Sequence, residues 1–433
     1  MRTAVRSLGC GGATEDLRTV YERIGRLQEA GADVPLTWGR IESAPGEPSF
    51  FGYRVRLGDS GIGNGWDAHS PIPALSRAIG EAVERLVWFE RPPSPDRLRV
   101  DSVAGVGRDG LSLRALAGYS PELRARHSRA LSWDRGTVFT WIAGRSLLDG
   151  NFRWVPLQIV TGLDEDKYPV DVSAEPELRP RVTTGVAAHR DRTAALLNAI
   201  YEVIERDALM ITWLSGVPPS MIDFEAVADV GLAEAIVRLR GAGLVPRAFL
   251  LKSDAPASTV VAAIQSRDRA PALAFGSSAH HSPVTAVSHA LLEAFVTWRY
   301  IKRLRAKGTV APADPVALDR DGRLLWWAEP DRWKELEWFL SPDAVADINP
   351  IRFERPDDAL ERFINWLRET QEETVSVDLT DDASVDQLGH HVVAAVIPGF
   401  HPMHLQEARP ALWSHRLGNR PIGTLNLRPH PFA

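Results

Sequence analysis

The 433-residue chain has a single cysteine, Cys10. No disulfide can close within it, and a structural zinc centre built on thiolates is excluded. The expected setting is therefore a reducing one, the cytoplasm. Cys10 stands in a glycine run, Gly9-Cys10-Gly11-Gly12, where nothing offers itself as a base, so it is not read as a nucleophile. Excess positive charge is also lacking. Fifty Lys and Arg face 56 Asp and Glu, a net charge of −6, so no global field points to nucleic acid. No run of about eighteen apolar residues occurs, which leaves no membrane span. The start, MRTAVRSLGCGG, lacks the apolar stretch of a signal peptide. What remains is ordinary for a globular protein: 44% hydrophobic and 24% charged residues, enough for a sizeable core. Most of the 14 tryptophans are expected inside it.

Helical spacing of apolar residues appears at 15–30, 74–90, 191–214, 229–241, 284–305 and 357–370. Strand-like runs lie at 51–59, 137–143, 153–160, 246–252, 258–265, 374–379 and 391–397. Helices and strands alternate throughout, which predicts an α/β (mixed α+β) class. Gly61-Ile62-Gly63-Asn64-Gly65 reads as a loop; it lacks the Gly-Lys-Ser/Thr ending of a phosphate loop, and a plain turn is the expectation. The Arg-, Pro- and Ser-rich stretch 91–135 and the Pro-, Asp- and Trp-rich stretch 306–350 read as surface excursions. Residues 1–50 are expected to pack on the core as an N-terminal segment, and 51–433 to form one domain.

One internal similarity stands out. AIGEAVERLVWF at 78–89 and AIYEVIERDALM at 199–210 share Ala-Ile-x-Glu-x-x-Glu-Arg. On a helix Glu81, Glu84 and Arg85 lie on one face; Glu202, Glu205 and Arg206 repeat the arrangement, with Asn198 one turn earlier. Apolar neighbours flank both sets, so both helices are at least half buried. Two acids against one Arg per helix leave negative charge that a divalent cation with oxygen ligands would satisfy. The same spacing also occurs on solvated helix faces, where Glu–Arg pairs merely stabilise the helix. Composition and spacing leave both readings open. His280-His281, His390-His391 and His401-x-x-His404 have no HExxH context and are expected to be solvated rather than to bind metal. Asp378, Asp381 and Asp382 follow a strand and are expected to cap turns.

At these residues the chain resembles the YcaO family. Thr184–Ala188 followed by Ala194–Ala208 is similar to that family's central motif, Gly80–Arg85 to its first glutamate motif, and Ala286–Glu293 to its third. Val396–Pro402 and the ending Arg428-Pro429-His430-Pro431-Phe432-Ala433 resemble the azoline-forming cyclodehydratase branch. The likeness runs from about residue 50 to the C-terminus. It implies related α/β lobes around a central ATP site. It further implies Glu81, Glu84, Glu202 and Glu205 as Mg2+ ligands, and Ser76, Arg77, Arg85, Asn198, Arg206 and Glu293 on the ATP side. His430 and the Ala433 carboxylate are implied to order the site or to move protons. The chain departs from the family pattern at Arg77, where Ser is usual, at Asn64, where Lys is frequent, and around the third motif at His289, Val296 and Thr297.

The activity the resemblance implies is ATP-dependent conversion of Cys, Ser or Thr in a ribosomally made precursor peptide to thiazoline or oxazoline. The implied partners are that peptide, a leader-binding or E1-like protein, and a separate flavin dehydrogenase if the rings are oxidised further. The alternatives are backbone thioamidation and a non-catalytic nucleotide-binding scaffold subunit.

Overall fold

The computed structural model describes Gly25 and residues 35–227, 229–266, 271–346, 348, 355–418 and 420–432. Cys10, the helix expected at 15–30 apart from helical Gly25, and Ala433 lie outside the described residues. Helices of eight residues or more are labelled.

Three sheets carry the fold. The first joins β1 (Leu36–Arg40), β2 (Phe51–Leu57) and β3 (Gly61–Asp67) in antiparallel order, and helix α1 (Pro71–Glu90) lies across it. The third sheet in space is built from β4 (Leu98–Ser102), β5 (Val138–Ser146) and β6 (Phe152–Pro156), closed by β7 (Val186–His189) and two late strands. Helix α2 (Arg192–Ser215) packs on it. The second sheet contains β8 (Ser220–Ile222), β9 (Leu244–Leu250), β10 (Ser258–Ser266), β11 (Leu273–His280) and β12 (Val345–Ala346), with α3 (Val230–Gly241) between β8 and β9. Helix α4 (Pro283–Ala306) covers β10 and β11. Then come α5 (Arg320–Trp327), α6 (Pro356–Thr370), β13 (Val375–Asp378) and β14 (His391–Val396), the last two completing the sheet of β5 and β7 in the order β4-β5-β13-β14-β7.

Three helices knit the sheets into a ring. Beyond its own sheet, α1 touches β7, α2 touches β11, and α4 touches β3. Their starts are set locally. Ser70, Asp191 and Ser282 cap them through side-chain oxygens that accept from Ile72, Ala194 and Thr285 N–H, with Pro71 and Pro283 in first-turn positions that need no donor. Gly216 in the left-handed region ends α2.

The structure corrects the reading of Gly61–Gly65. It is strand β3, not a turn. A Cβ on Gly63 would stand 2.0 Å from the Ala78 carbonyl oxygen, and one on Gly65 1.8 Å from that of Ala74. Glycine at alternate positions removes the side chains on the α1 side, so strand and helix backbones touch. Gly276 does the same under α4, where a Cβ would meet Ala294 N at 2.2 Å. The stretches at 91–135 and 306–350 are not mere excursions either. The first holds edge strand β4 and buried Leu113, Leu116 and Tyr119; the second holds α5 with buried Trp327 and fully buried Arg323.

Candidate functional site

The ring of helices brings five glutamates together, and each lobe fixes its first acid in the same manner. A backbone N–H from the strand region below the helix donates to a glutamate 16 or 17 residues later: Asn64 N to Glu81 at 2.6 Å, Gly185 N to Glu202 at 2.7 Å, and Ser277 N to Glu293 at 2.7 Å. Gly185 carries φ +79°, a conformation other residues adopt at a cost. Glu205 accepts from Ser277 Oγ at 2.6 Å and from Ala279 N at 3.1 Å, so Ser277 ties α2 to α4. Glu84 has no hydrogen-bond or ion-pair partner among the described residues; the charges of Glu202 and Glu81 push it up, and those of Arg85 and Arg206 act against them.

Two guanidinium groups are committed. Arg85 pairs with Glu81 at 2.6 Å, and Arg206 pairs with Glu202 at 2.7 Å while donating to Thr184 Oγ1 at 2.6 Å. Three carboxyls remain without a paired cation among the described residues. Burial raises all five above the ordinary carboxyl value. For Glu84 the neighbouring Glu202 and Glu81 push further, to well above it. Glu205 rises to about 7 because burial outweighs the Ser277 hydrogen bond. Glu293 rises to about 8 through burial and then the Glu205 charge, although its side chain stays open to solvent. Glu293 is thus surrounded by protein yet reachable by water, in a cluster that holds more carboxyls than paired arginines among the described residues.

The remaining sequence-predicted residues fall into three groups. Asn198 is exposed on α2, one turn before Glu202, and is free to meet a ligand. Arg77, one turn before Glu81, donates to the Trp66 carbonyl at 2.6 Å, to Asp67 at 3.2 Å and to His289 Nε2 at 3.1 Å. Ser76 is half-buried on α1, but five residues place it about 140° round the helix from Glu81.

His430 is not brought among the glutamates. It is 1% exposed. Its Nε2 lies 2.7 Å from the His404 carbonyl, and burial, then the Arg323 and His404 charges, push it well below the ordinary histidine value. It belongs to an anchor for the chain end, in which Trp213 and Trp327 donate to the Arg428 and Pro429 carbonyls at 2.8 and 3.0 Å. Phe432 packs on Phe275, two residues from Ser277. His404, Glu407 and His430 come close enough to suggest a metal, but the buried Arg323 guanidinium bonds both His430 and Glu407 and already supplies the positive charge. The expectation of solvated histidines fails here, since His390, His401 and His404 are buried. Asp381 caps a short helix as expected, accepting from Ser384 N at 2.8 Å, whereas Asp378 pairs with Arg192 at 2.7 Å.

Sequence reasoning missed three contributors. Ser277 sits in a strand with no motif. Arg320, at the start of α5, lowers both Glu81 and Glu293 through its charge. Arg179 has no hydrogen-bond partner among the described residues, and burial together with Arg206 pushes it down to about 10. Lone arginines in loops leave no periodic signal; only the folded chain aims them at a common point.

A donor set made of carboxylate oxygens, one of them unpartnered, suits Mg2+, and guanidinium groups at the rim suit phosphate. Comparison with known proteins agrees. The sequence model of the YcaO cyclodehydratase family, described as ATP- and Mg2+-binding, matches residues 68–401. A protein of Methanothermobacter thermautotrophicus described as uncharacterized is 27% identical over 277 residues, 60% of this chain and 68% of its own length. Three solved structures share the fold. A heterocyclase in complex with substrate and cofactor has a TM-score of 0.74 and 17% identity, covering 95% of this chain and 57% of its own. YcaO from Methanopyrus kandleri bound with AMPPCP and Mg2+ has a TM-score of 0.64 and 20% identity, over 92% and 94% of the two chains. The E. coli microcin synthetase McbBCD complex with pro-MccB17 bound has a TM-score of 0.65 and 16% identity, over 93% and 98%. The chain thus spans little more than half of that heterocyclase chain.

Proposed function

The chain belongs to the YcaO family, whose cofactors are ATP and Mg2+, and from that premise we propose that it is an ATP-dependent cyclodehydratase that converts Cys, Ser or Thr of a ribosomally made peptide to azolines. The observation that carries the reading is the meeting of Glu81, Glu84, Glu202, Glu205 and Glu293 with, among the described residues, two paired arginines. Mg–ATP, when bound, supplies the phosphoryl group that makes the amide oxygen a leaving group.

The chain's own residues position and neutralise. Glu81, Glu84, Glu202 and Glu205 would hold the metal; the backbone hydrogen bonds that fix Glu81, Glu202 and Glu205 leave those three little reorganisation for binding. Glu293, Asn198, Arg77, Arg85 and Arg206 face the nucleotide, with Arg179 and Arg320 as further phosphate contacts. Ser76 is assigned to support α1 rather than to touch the nucleotide. Of the two roles expected of the tail, ordering the site is favoured over proton transfer by His430. Both its ring nitrogens are engaged, and burial, then the Arg323 charge, oppose its protonation.

A peptide substrate, a leader-binding partner and, where rings are oxidised, a flavin dehydrogenase complete the proposed system. The microcin synthetase complex, with its bound pro-MccB17, supports the peptide and the partner. The test is reconstitution with ATP, Mg2+, precursor and partner, followed by mass spectrometry. One water lost per ring, with ATP consumed, is expected, and Glu202→Gln abolishes it. Exchange of oxygen for sulfur in the presence of sulfide would replace azoline formation by thioamidation, and ATP left intact would leave a scaffold role.

A further inference from the structure

The contact between Arg77 and His289 decides the chemistry of the imidazole. Arg77 Nη2 lies 3.1 Å from His289 Nε2. A guanidinium can only donate, so Nε2 accepts and carries the lone pair. Neutral His289 therefore bears its proton on Nδ1. Burial, and then the adjacent Arg77 charge, oppose a second proton. Arg77 is itself oriented by the Trp66 carbonyl and by Asp67, so the pairing is held from both sides. Among the described residues Nδ1 has no partner. Its ring neighbour His280, 6.2 Å away between centroids, does not bond it: His280 Nδ1 accepts from Ser282 N at 3.0 Å.

His289 lies one helical turn before Glu293, on the same face, as Arg77 lies one turn before Glu81. Residues so spaced are roughly 5–6 Å apart between Cβ atoms, within reach of one anion whose metal the glutamates hold. A neutral donor has an advantage there. An imidazolium in the same cavity would oppose a divalent cation, whereas a neutral N–H adds a hydrogen bond without adding charge.

We propose that His289, fixed by Arg77 as its Nδ1–H tautomer, donates from Nδ1 to a phosphate oxygen of the bound nucleotide, with Arg77 as the positioning residue. The inference rests on the nucleotide reading above and goes one step further, to the atom.

The experiment has two arms. In the first, binding of the non-hydrolysable Mg–AMPPCP is measured by calorimetry for the full chain and for His289→Asn, His289→Gln and His289→Ala, with a thermal melt of each. The Asn amide nitrogen overlays Nδ1, and that of Gln overlays Nε2. Asn is expected to bind within about threefold of the parent, and Gln and Ala roughly ten- to hundredfold more weakly, the loss of a hydrogen bond to a charged group. Equal binding by all four proteins, or rescue by Gln rather than Asn, overturns the proposal. Binding unchanged while turnover of a complete reaction falls would move the contact to the peptide and also overturns it. No binding by the parent chain would instead bring down the nucleotide reading itself, and this inference with it. The second arm needs no folded variant: 15N NMR of histidine-labelled parent protein should show one non-titrating Nδ1–H tautomer that shifts on Mg–AMPPCP addition. An Nε2–H tautomer at His289 contradicts the proposal.

Discussion

Glu84 is enclosed by protein yet has neither a donor nor a cation bound to it among the described residues, while Glu81 has Arg85 and Glu202 has Arg206. Removing its charge should relieve repulsion in the metal-free protein and at the same time remove a metal ligand. Glu84→Gln is therefore expected to melt no lower than the parent without Mg2+, to lose most of the Mg2+-dependent rise, and to turn over ATP on the order of 100-fold more slowly or worse. A lower melting point without metal would show that Glu84 is structural. The pH response has a defined sign. Glu205 and Glu293 titrate at about 7 and about 8 in the folded chain, against an ordinary 4.5. A carboxyl raised in this way holds its proton better folded than unfolded, so its stabilising contribution is complete below about pH 4.5 and is lost as pH climbs through 7 and 8. Mg2+ must displace those protons. The Mg2+-induced increase in melting temperature should thus be larger at about pH 8.5 than at about pH 6; an increase independent of pH would mean that the metal binds elsewhere.

At the level of elements, the glycine strand β3 sets how closely α1 approaches and so where Glu81 and Glu84 stand. Gly63→Ala and Gly65→Ala place a methyl against helix backbone, which cannot step aside as a side-chain end can. Each should cost about 1–3 kcal/mol or more in denaturant unfolding. Gly39→Ala in β1, with open space around it, should fall within about 0.5 kcal/mol of the parent. The same strand marks where the sequence was hard to read. The long helices were legible because a buried face repeats at helical spacing: Ala78, Ile79, Ala82, Val83 and Leu86 in α1, and Leu196, Leu197, Ile200, Val203 and Ile204 in α2. Strand β3 shows no such pattern, since its glycines answer to a helix packed on it later in the chain. Strand β11, LAFGSSAH, was missed for a related reason: Gly276 and Ser277 are there for α4 and the glutamates, not for strand propensity. The duplicated Glu-x-x-Glu-Arg exposed two-thirds of the site. The third helix offers only Glu293 and no repeat, and it was reached through family resemblance.

On the scale of the whole molecule, each of the three helices belongs to one sheet and touches another, so the glutamates meet only when the ring is closed. The C-terminal anchor bears on that closure. Phe432 joins Trp213 of α2, Phe275 of β11 and Phe339. Phe432→Ala is expected to cost about 3–5 kcal/mol and to depress turnover. Deleting the last five residues should abolish cyclisation with the fold retained, as read by circular dichroism and substrate mass; full activity after the deletion would contradict the role given to the tail.

The most direct measurement is anomalous diffraction from crystals grown with Mn2+ and AMPPCP. Manganese peaks should fall in the cavity, bridged to phosphate oxygens and held by glutamates of α1 and α2 at about the short distances of hard oxygen ligands. A cavity without manganese or nucleotide density, or manganese bound only beside His404, Glu407 and His430, would contradict the account.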